Sequence, residues 1–199
     1  MSEFRRRLMR NNKNYILVST TASQYIDTGI NITGYMEIEM TCILPSSNNT
    51  KEYILFGDKT DANNVISIGV DADSNIYYQF GNYMNSIRYV VNKDVEYNFK
   101  ININGCYINN ELIGKIQGNI LTKTAKSIYL FGRRLNESLD EPRVVGIRKF
   151  IVREFDTIIM NLKATKDSNN IPCMIDDIQK KYYYNINPNG ANFDIYEIL

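Results

Sequence analysis

The sequence predicts an all-β fold, a sandwich of two antiparallel sheets, and three observations support this prediction. Apolar and polar residues alternate with a period of two along several segments, and turn-forming residues separate these segments. Beyond the first dozen residues, no stretch of comparable length has its apolar residues at helical spacing. The chain has 199 residues, 44% of them apolar, which suits one large β domain with a core between two sheets.

The alternation is clearest in residues 36–44, where apolar side chains occupy every second position and Glu37, Glu39 and Thr41 lie between them. Residues 95–103 and 158–164 repeat the pattern. Successive side chains of a strand point to opposite faces of a sheet. Each of these segments is therefore predicted to place one face in the core and the other in solvent.

Turn-forming residues mark the ends of the predicted strands. Asn104-Gly105 is a strong hairpin signal, and we expect a type I′ turn there that joins residues 95–103 to a short strand at 106–108. Asn109-Asn110 predicts a second turn, and residues 71–75 separate two further strands. About a dozen short strands spaced in this way are typical of a sandwich of antiparallel sheets.

Charge divides the chain into two parts. Residues 1–13 carry five cationic residues against Glu3, a balance of +4, so the other 186 residues sum to −3 for the chain total of +1. We therefore predict a basic N-terminal arm (1–13) and a sandwich (14–199) without an internal boundary. The sequence shows no apolar stretch long enough to span a membrane and no signal peptide. No basic stripe continues into the sandwich, so nucleic acid is not expected as a partner.

Six short motifs follow one another in a characteristic order over about residues 15–195. They are residues 23–30 (SQYIDTGI), 55–57 (LFG), 97–110, 128–133 (IYLFGR), 147–154 and 171–185. The pattern resembles the concanavalin A/laminin-G-like domains found in phage and prophage proteins of gut bacteria. The resemblance implies a jelly-roll sandwich of two curved antiparallel sheets, which often recognises sugars or surface partners. It does not specify the ligand, because this architecture serves many functions.

The first nine residues (MSEFRRRLM) resemble the N-termini of structural proteins from tailed phages. The resemblance implies a virion structural or decoration protein, made in the bacterial cytoplasm and attached through its arm to other virion proteins or to copies of itself. Apolar side chains would be buried against the partner while arginines meet carboxylates. The predicted anchor residues are Phe4, Arg5, Arg6, Arg7, Leu8 and Met9. The alternative for the arm is an unattached solubilising tail.

Catalysis is not expected. The chain has no histidine, which removes the usual general base near neutral pH. Retaining hydrolases of this fold place paired carboxylates in an E-x-D-x-x-E spacing, which is absent. Glu37 and Glu39 are expected on a solvated outer face, and Asp140-Glu141 are expected in a loop without a positioned partner. A degenerate glycoside hydrolase is the second alternative function.

A carbohydrate-binding module that recognises host-surface glycans is the first alternative. Sugar binding uses aromatic platforms together with amide and charged groups. Tyr77 and Gln79 are predicted to share one face of a strand, opposite the core-facing residues at 76, 78 and 80. The candidate glycan-binding residues are Tyr77, Gln79, Asn82, Tyr83 and Arg88. Tyrosines that merely cover a sheet are the alternative for each aromatic position.

No cofactor is expected. Cys42, Cys106 and Cys173 lie far apart without C-x-x-C spacing, and we interpret them as buried core thiols rather than zinc ligands. Calcium needs several oxygen ligands that converge from loops. Its weak candidates are Asp58, Asp61, Asp71 and Asp73, for which ordinary turn-forming roles are favoured.

Overall fold

The computed structural model describes residues 14–21, 23–44, 53–71, 75–89, 91–117, 121–136, 138–140, 145–187 and 191–198. The predicted anchor residues at 4–9 and the metal candidate Asp73 lie outside these ranges. Within them every regular element is a strand, and no helix is long and apolar enough to cross a membrane. The strands are β1 (Asn14–Val18), β2 (Ile26–Asp27), β3 (Met36–Ile43), β4 (Tyr53–Asp58), β5 (Val65–Val70), β6 (Ile76–Gly81), β7 (Tyr83–Ile87), β8 (Glu96–Asn102), β9 (Gly105–Ile108), β10 (Glu111–Gly114), β11 (Tyr129–Leu130), β12 (Arg133–Leu135), β13 (Ser138–Asp140), β14 (Gly146–Glu154), β15 (Thr157–Lys166), β16 (Pro172–Asp176), β17 (Tyr182–Tyr183) and β18 (Asp194–Ile198).

The strands form two sheets. The larger sheet has the order β10-β9-β8-β3-β14-β15-β16-β17, and β1 pairs with both β14 and β18. The smaller sheet has the order β13-β12-β4-β5-β6-β7, and β11 pairs with β2 and β4. Among the described strands, every pair is antiparallel except β4 and β12, which meet in parallel at Asp58 and Arg134. The predicted fold class, an all-β sandwich of two antiparallel sheets, is confirmed.

The core lies between the two sheets and follows the predicted alternation. In β3 every second residue from Met36 to Cys42 is buried. Phe150 of β14 and Phe56 of β4 meet across the sandwich, with ring centroids 5.7 Å apart. The alternation of apolar residues in the sequence continues past the buried part of two strands. Val95, just before β8, and Ile158, near the start of β15, fit the alternation but are exposed. Apolar periodicity therefore predicts the strands better than it predicts where burial ends.

The hairpin near Asn104 is present, but its turn differs from the type I′ turn that the sequence suggested. Asn102 of β8 pairs with Gly105 of β9, so Ile103 and Asn104 form the turn, and Asn104 has no positive φ. Positive φ at both central positions, which defines the type I′ geometry, occurs instead at the Asn109-Asn110 turn that follows, with φ of 51° and 68°. An Asn-Asn pair tolerates this conformation because both side chains are short and polar.

Replacing Gly105 with valine is expected to lower the free energy of unfolding by about 1 kcal/mol or more. The reason is close packing within the sheet, since a Cβ atom at Gly105 would lie 2.3 Å from the carbonyl oxygen of Gly114 and 2.5 Å from Leu112 Cδ1. Denaturant titration measures the change. Asn104→Val, which adds the same side chain at the exposed neighbouring position, serves as the control. Equal losses in the two variants would show that the close approach to Gly114 does not matter.

Candidate functional site

The candidate site lies on the outer face of the smaller sheet, where β5, β6 and β7 run side by side. Alternate residues of β6 enter the core, which leaves Tyr77 and Gln79 on the outer face. The register places Ser86 of β7 opposite Tyr77, and Met84 opposite Gln79. These four side chains therefore share one surface of the sheet.

Two tight connections hold this surface together. Between β5 and β6, the Asp71 carboxylate accepts a hydrogen bond from the Asn75 backbone at 2.9 Å, and its second oxygen accepts one from the Ser86 hydroxyl at 2.9 Å. Between β6 and β7 the two-residue turn is Gly81-Asn82, and Gly81 has a φ of 67°. A glycine with positive φ at the first central position is what a type II′ turn requires. These hydrogen bonds and this turn hold β5, β6 and β7 in register.

A cavity of about 390 Å³ opens above this surface. The residues that line the cavity, among those that the structure describes, are polar or charged except for one exposed methionine. The lining residues are Lys59, Asp71, Tyr77, Gln79, Met84, Asn85, Ser86 and Arg133. Its volume lies at the lower end of the range of about 300 to 1,000 Å³ that is usual for ligand pockets.

Arg133 forms one wall of the cavity and is held rigidly. Its guanidinium donates to Asp140 Oδ2 from Nε at 3.1 Å and from Nη2 at 2.6 Å. Nη1 donates to the Tyr77 hydroxyl at 2.7 Å, and that hydroxyl lies 3.2 Å from Ser67 Oγ. The expectation that Asp140 has no positioned partner was wrong. Asp140 is the terminal residue of strand β13, where it lies opposite Arg133 in the antiparallel register.

A sharp reversal of the chain brings Arg133 to this position. β11 is antiparallel to β4, whereas β12 is parallel to it, so the chain turns between Leu130 and Arg133. Phe131 makes this turn with a φ of 68°, a rare conformation for a bulky residue. Its backbone nitrogen donates to the Leu55 carbonyl at 2.9 Å, and its ring stacks on Phe193 at 4.7 Å. Packing therefore sustains a strained residue beside the cavity.

The cavity offers hydrogen-bonding groups that the described protein does not use. The Gln79 side chain is about nine-tenths buried and makes no hydrogen bond to any described residue. The Lys59 ammonium has no ion pair with a described residue either, although the Lys59 backbone nitrogen donates to Arg134. The Gln79 amide is not among the buried side-chain atoms that lack a partner in the described residues, so its polar atoms reach solvent in the cavity. A ligand could therefore bond to this amide in place of water.

The structure brings together two of the five predicted glycan-binding residues. Tyr77 and Gln79 line the cavity, whereas Asn82, Tyr83 and Arg88 are not among its lining residues. Tyr83 packs toward the core, where its ring lies 6.2 Å from the ring of Tyr78. The ring of Tyr77 is almost covered, so this residue positions Arg133 rather than offering a free face for stacking.

The residues that sequence reasoning missed are Lys59, Met84, Ser86 and Arg133, together with Asp71, which was considered only as a metal ligand. Arg133 ends the IYLFGR motif, and this was the one signal that singled it out. Its contact with Tyr77 depends on the path from β12 through β4 and β5 to β6. No local pattern encodes that path.

The calcium candidates act as turn residues where they are described. Asp58 is buried and accepts hydrogen bonds from Thr60 and from the Lys126 backbone, and burial raises its pKa. Hydrogen bonds from Asn64 and the Asn63 backbone lower the pKa of Asp61. Asp73 lies outside the described residues. Within the described part of the chain, no three acidic, cysteine or histidine residues form a group that could hold a metal.

Glu37 and Glu39 lie on the outer face of the larger sheet. Arg153 Nη1 lies 2.7 Å from Glu39 Oε2 and 3.3 Å from Glu37 Oε1, and Asn98 also donates to Glu39. Burial acts to raise the pKa of Glu39, but the hydrogen bonds from Arg153 and Asn98 outweigh it and lower the pKa. Glu39 is therefore ionised at neutral pH and is a structural partner of Arg153.

All three cysteines are buried and free, as the sequence predicted. Burial raises the pKa of Cys106 and of Cys173 to about 12 and also raises that of Cys42. Thiols of this kind are not nucleophiles at neutral pH, because the thiolate is the reactive form.

Comparison with solved structures places the fold among known ones. A protein from Bacteroides ovatus, provisionally described as carbohydrate binding, superimposes with a TM-score of 0.66 and 10% sequence identity. The alignment covers 94% of this chain and 60% of that protein, so the chain spans less than two thirds of its length. At this identity the likeness shows a shared fold alone.

Two further structures align more weakly. A carbohydrate binding module from Bacillus subtilis gives a TM-score of 0.39 at 12% identity, with 67% of this chain and 78% of the module covered. A sialidase from Trypanosoma rangeli gives 0.44 at 11% identity, with 62% and 21% covered. Neither likeness is strong enough to support an argument. No protein family matches the sequence, and no curated protein matches it.

Proposed function

We propose that this chain is a carbohydrate-binding module and that the cavity on the outer face of the smaller sheet is its binding site. The observation that carries the proposal is the Gln79 amide, which makes no hydrogen bond to a described residue and opens into a cavity with charged and hydroxyl groups. The proposal concerns binding without cleavage of a glycosidic bond.

The chemistry of the lining suits a sugar. Each sugar hydroxyl both donates and accepts hydrogen bonds, so a site needs groups of both kinds. The Gln79 amide supplies both, the Lys59 ammonium donates, and the Asp71 carboxylate accepts. Met84, which is exposed at the rim, offers an apolar contact to the C–H face of a ring. Because Arg133 is already fixed by Asp140 and Tyr77, the wall is preorganised.

The shared fold of the Bacteroides protein is consistent with this proposal, since that protein is provisionally described as carbohydrate binding. The support is an analogy of fold, and function depends on the site. The cavity of about 390 Å³ suits a short segment or the end of a glycan.

Replacing Gln79 with leucine is expected to weaken glycan binding about five- to thirtyfold, because loss of a hydrogen bond to the ligand costs about 1 to 2 kcal/mol. An array of neutral and acidic oligosaccharides would identify a glycan that binds, and calorimetry would compare its affinity for parent and variant. Asn82→Ala, at the turn that joins β6 and β7 but outside the cavity lining, is the matched control and should bind as the parent does. Unchanged affinity in Gln79→Leu, or an array without any bound glycan, would refute the proposal.

The role in a phage particle that the resemblance implies stays a prediction. It depends on the anchor residues 4–9, which lie outside the described residues. A glycan-binding sandwich displayed on a particle would be compatible with the cavity proposed above. The degenerate hydrolase also stays an untested alternative, for which release of reducing sugar from a bound glycan is the measurement.

A further inference from the structure

A second concave surface lies on the outer face of the larger sheet, away from the proposed glycan site. This groove has a volume of about 1,060 Å³ and is rich in cationic side chains from segments that are distant in sequence. Its charged lining residues are Arg148, Lys149, Lys163, Lys166, Asp167, Asp177 and Lys180. Five cations face two carboxylates, a balance of +3. The sequence suggested no basic stripe beyond the arm, and the sheet assembles one from separate strands.

A β-bulge raises the density of positive charge in the groove. Ile147 pairs with Cys42 of β3 and Lys149 pairs with Thr41, so Arg148 is an extra residue in β14. A bulge lets two consecutive side chains reach the same side of a sheet. Arg148 and Lys149 are both partly exposed and both line the groove.

The register places like charges opposite each other. Lys149 of β14 lies directly across from Lys163 of β15 in the antiparallel pair. Like charges at directly opposed positions destabilise a sheet. Asp177, which pairs with Lys163, offsets part of this repulsion, and an anion bound in the groove would offset more of it.

Several cations of the groove remain available to a partner. Lys163 pairs with Asp177, and Arg148 pairs with Glu96 at 2.8 Å, outside the groove. Lys166 and Lys180 form no ion pair with any residue that the structure describes, and Lys149 forms none either, although its charge acts on the more distant Glu39.

The carboxylates of the groove are fewer than its cations. Asp167 accepts hydrogen bonds from the Asn169 backbone at 2.8 Å, the Ile171 backbone at 2.9 Å and the Tyr184 hydroxyl at 3.0 Å. Asp177 is paired with Lys163, and Asp167 keeps its negative charge, so the two carboxylates offset two of the five cations. The uncompensated charge of the groove is therefore positive.

We propose that this groove binds an anionic polysaccharide, a chain that bears carboxylate or sulfate groups. Ammonium groups act as point charges that suit either anion. Polar side chains along the groove, among them Thr165, Ser168 and Asn170, can bond to sugar hydroxyls. A single-stranded nucleic acid would need successive aromatic platforms, and the described lining offers two tyrosines, Tyr15 and Tyr182. This proposal does not depend on the glycan site of the smaller sheet.

The test compares polygalacturonate with its fully methyl-esterified form, which has the same sugar without the charge. Polygalacturonate should bind the intact protein and the esterified form should not. Raising the salt concentration from about 50 to about 200 mM should weaken binding at least about tenfold, since ion release drives such contacts. Lys149→Gln/Lys166→Gln should weaken binding about tenfold at the lower salt concentration, because two of the five cations of the groove are removed.

The control for these substitutions is Lys100→Gln. Lys100 is on the outer face of the same sheet, outside the groove, and lies 3.6 Å from Glu37. Removing its charge should leave polygalacturonate binding within about twofold of the parent. Equal weakening by Lys100→Gln would indicate nonspecific attraction and overturn the proposal.

Two other results would also overturn it, namely equal binding of the esterified polymer or tighter binding of single-stranded polythymidine than of polygalacturonate. Gln79→Leu should bind polygalacturonate as the parent does. The two proposals can therefore be refuted independently of each other.

Discussion

Replacing Phe150 with alanine is expected to lower the free energy of unfolding by about 3 to 5 kcal/mol. Phe150 lies in β14 between two neighbouring strands of the larger sheet and is fully buried. Its ring meets Phe56 of the smaller sheet at 5.7 Å with an interplanar angle of 70°, an edge-to-face contact. The substitution would open a cavity where the two sheets pack together. Denaturant unfolding with an unchanged m-value measures the loss.

Phe155→Ala provides the matched control. Phe155 belongs to the turn between β14 and β15, is 71% exposed, and contacts Tyr35 with ring centroids 5.4 Å apart. The same substitution there should cost less than about 1 kcal/mol. If Phe150→Ala were no more destabilising than Phe155→Ala, the packing of the two sheets described above would be contradicted.

Replacing Arg133 with methionine is expected to lower the free energy of unfolding by about 2 to 3 kcal/mol. The substitution leaves the Asp140 carboxylate without the two hydrogen bonds that it accepts from the guanidinium. The loss is smaller than for a completely buried pair, because the Asp140 side chain is 24% exposed and water can solvate it in part. Thermal and denaturant unfolding of parent and variant measure the change.

A double variant separates the ion pair from simple packing. Arg133→Met/Asp140→Leu removes both charges, so it should be more stable than Arg133→Met alone. A double variant no more stable than Arg133→Met would show that the unpaired carboxylate is not the cause of the loss. The same two variants would show whether the fixed arginine contributes to glycan binding.

The fold was predictable from the sequence because strand patterning is local. Residues 36–44 alternate cleanly, and β3 is buried at every second position as that alternation predicts. Turn geometry was less predictable. Asn104-Gly105 and Asn109-Asn110 are both turn-forming pairs, but the β8–β9 register places Gly105 in a strand, whereas the β9–β10 register leaves Asn109-Asn110 as a two-residue type I′ turn. Register depends on pairing across the sheet, which a single-sequence pattern does not contain.

The candidate site was predictable only in part, for the same reason. Tyr77 and Gln79 could be assigned to one face of a strand because they are two residues apart. Arg133 reaches them from β12, which pairs with β4 in parallel after the chain turns at Phe131, a residue with positive φ. No rule of composition or spacing predicts this parallel pairing. The cationic groove was not predicted for a similar reason. Lys149 and Lys163 become neighbours only through the β14–β15 register.

Chemical-shift mapping by NMR tests the central claim most directly, using a glycan that the array identifies. On titration, the amide signals of Tyr77, Gln79 and Ser86 should shift most, since these residues line the cavity on the smaller sheet. The signals of Lys149 and Lys163, on the larger sheet, should stay near their starting positions with a neutral glycan. Shifts concentrated on the larger sheet, or spread evenly over both sheets, would contradict the assignment of the glycan site to this cavity.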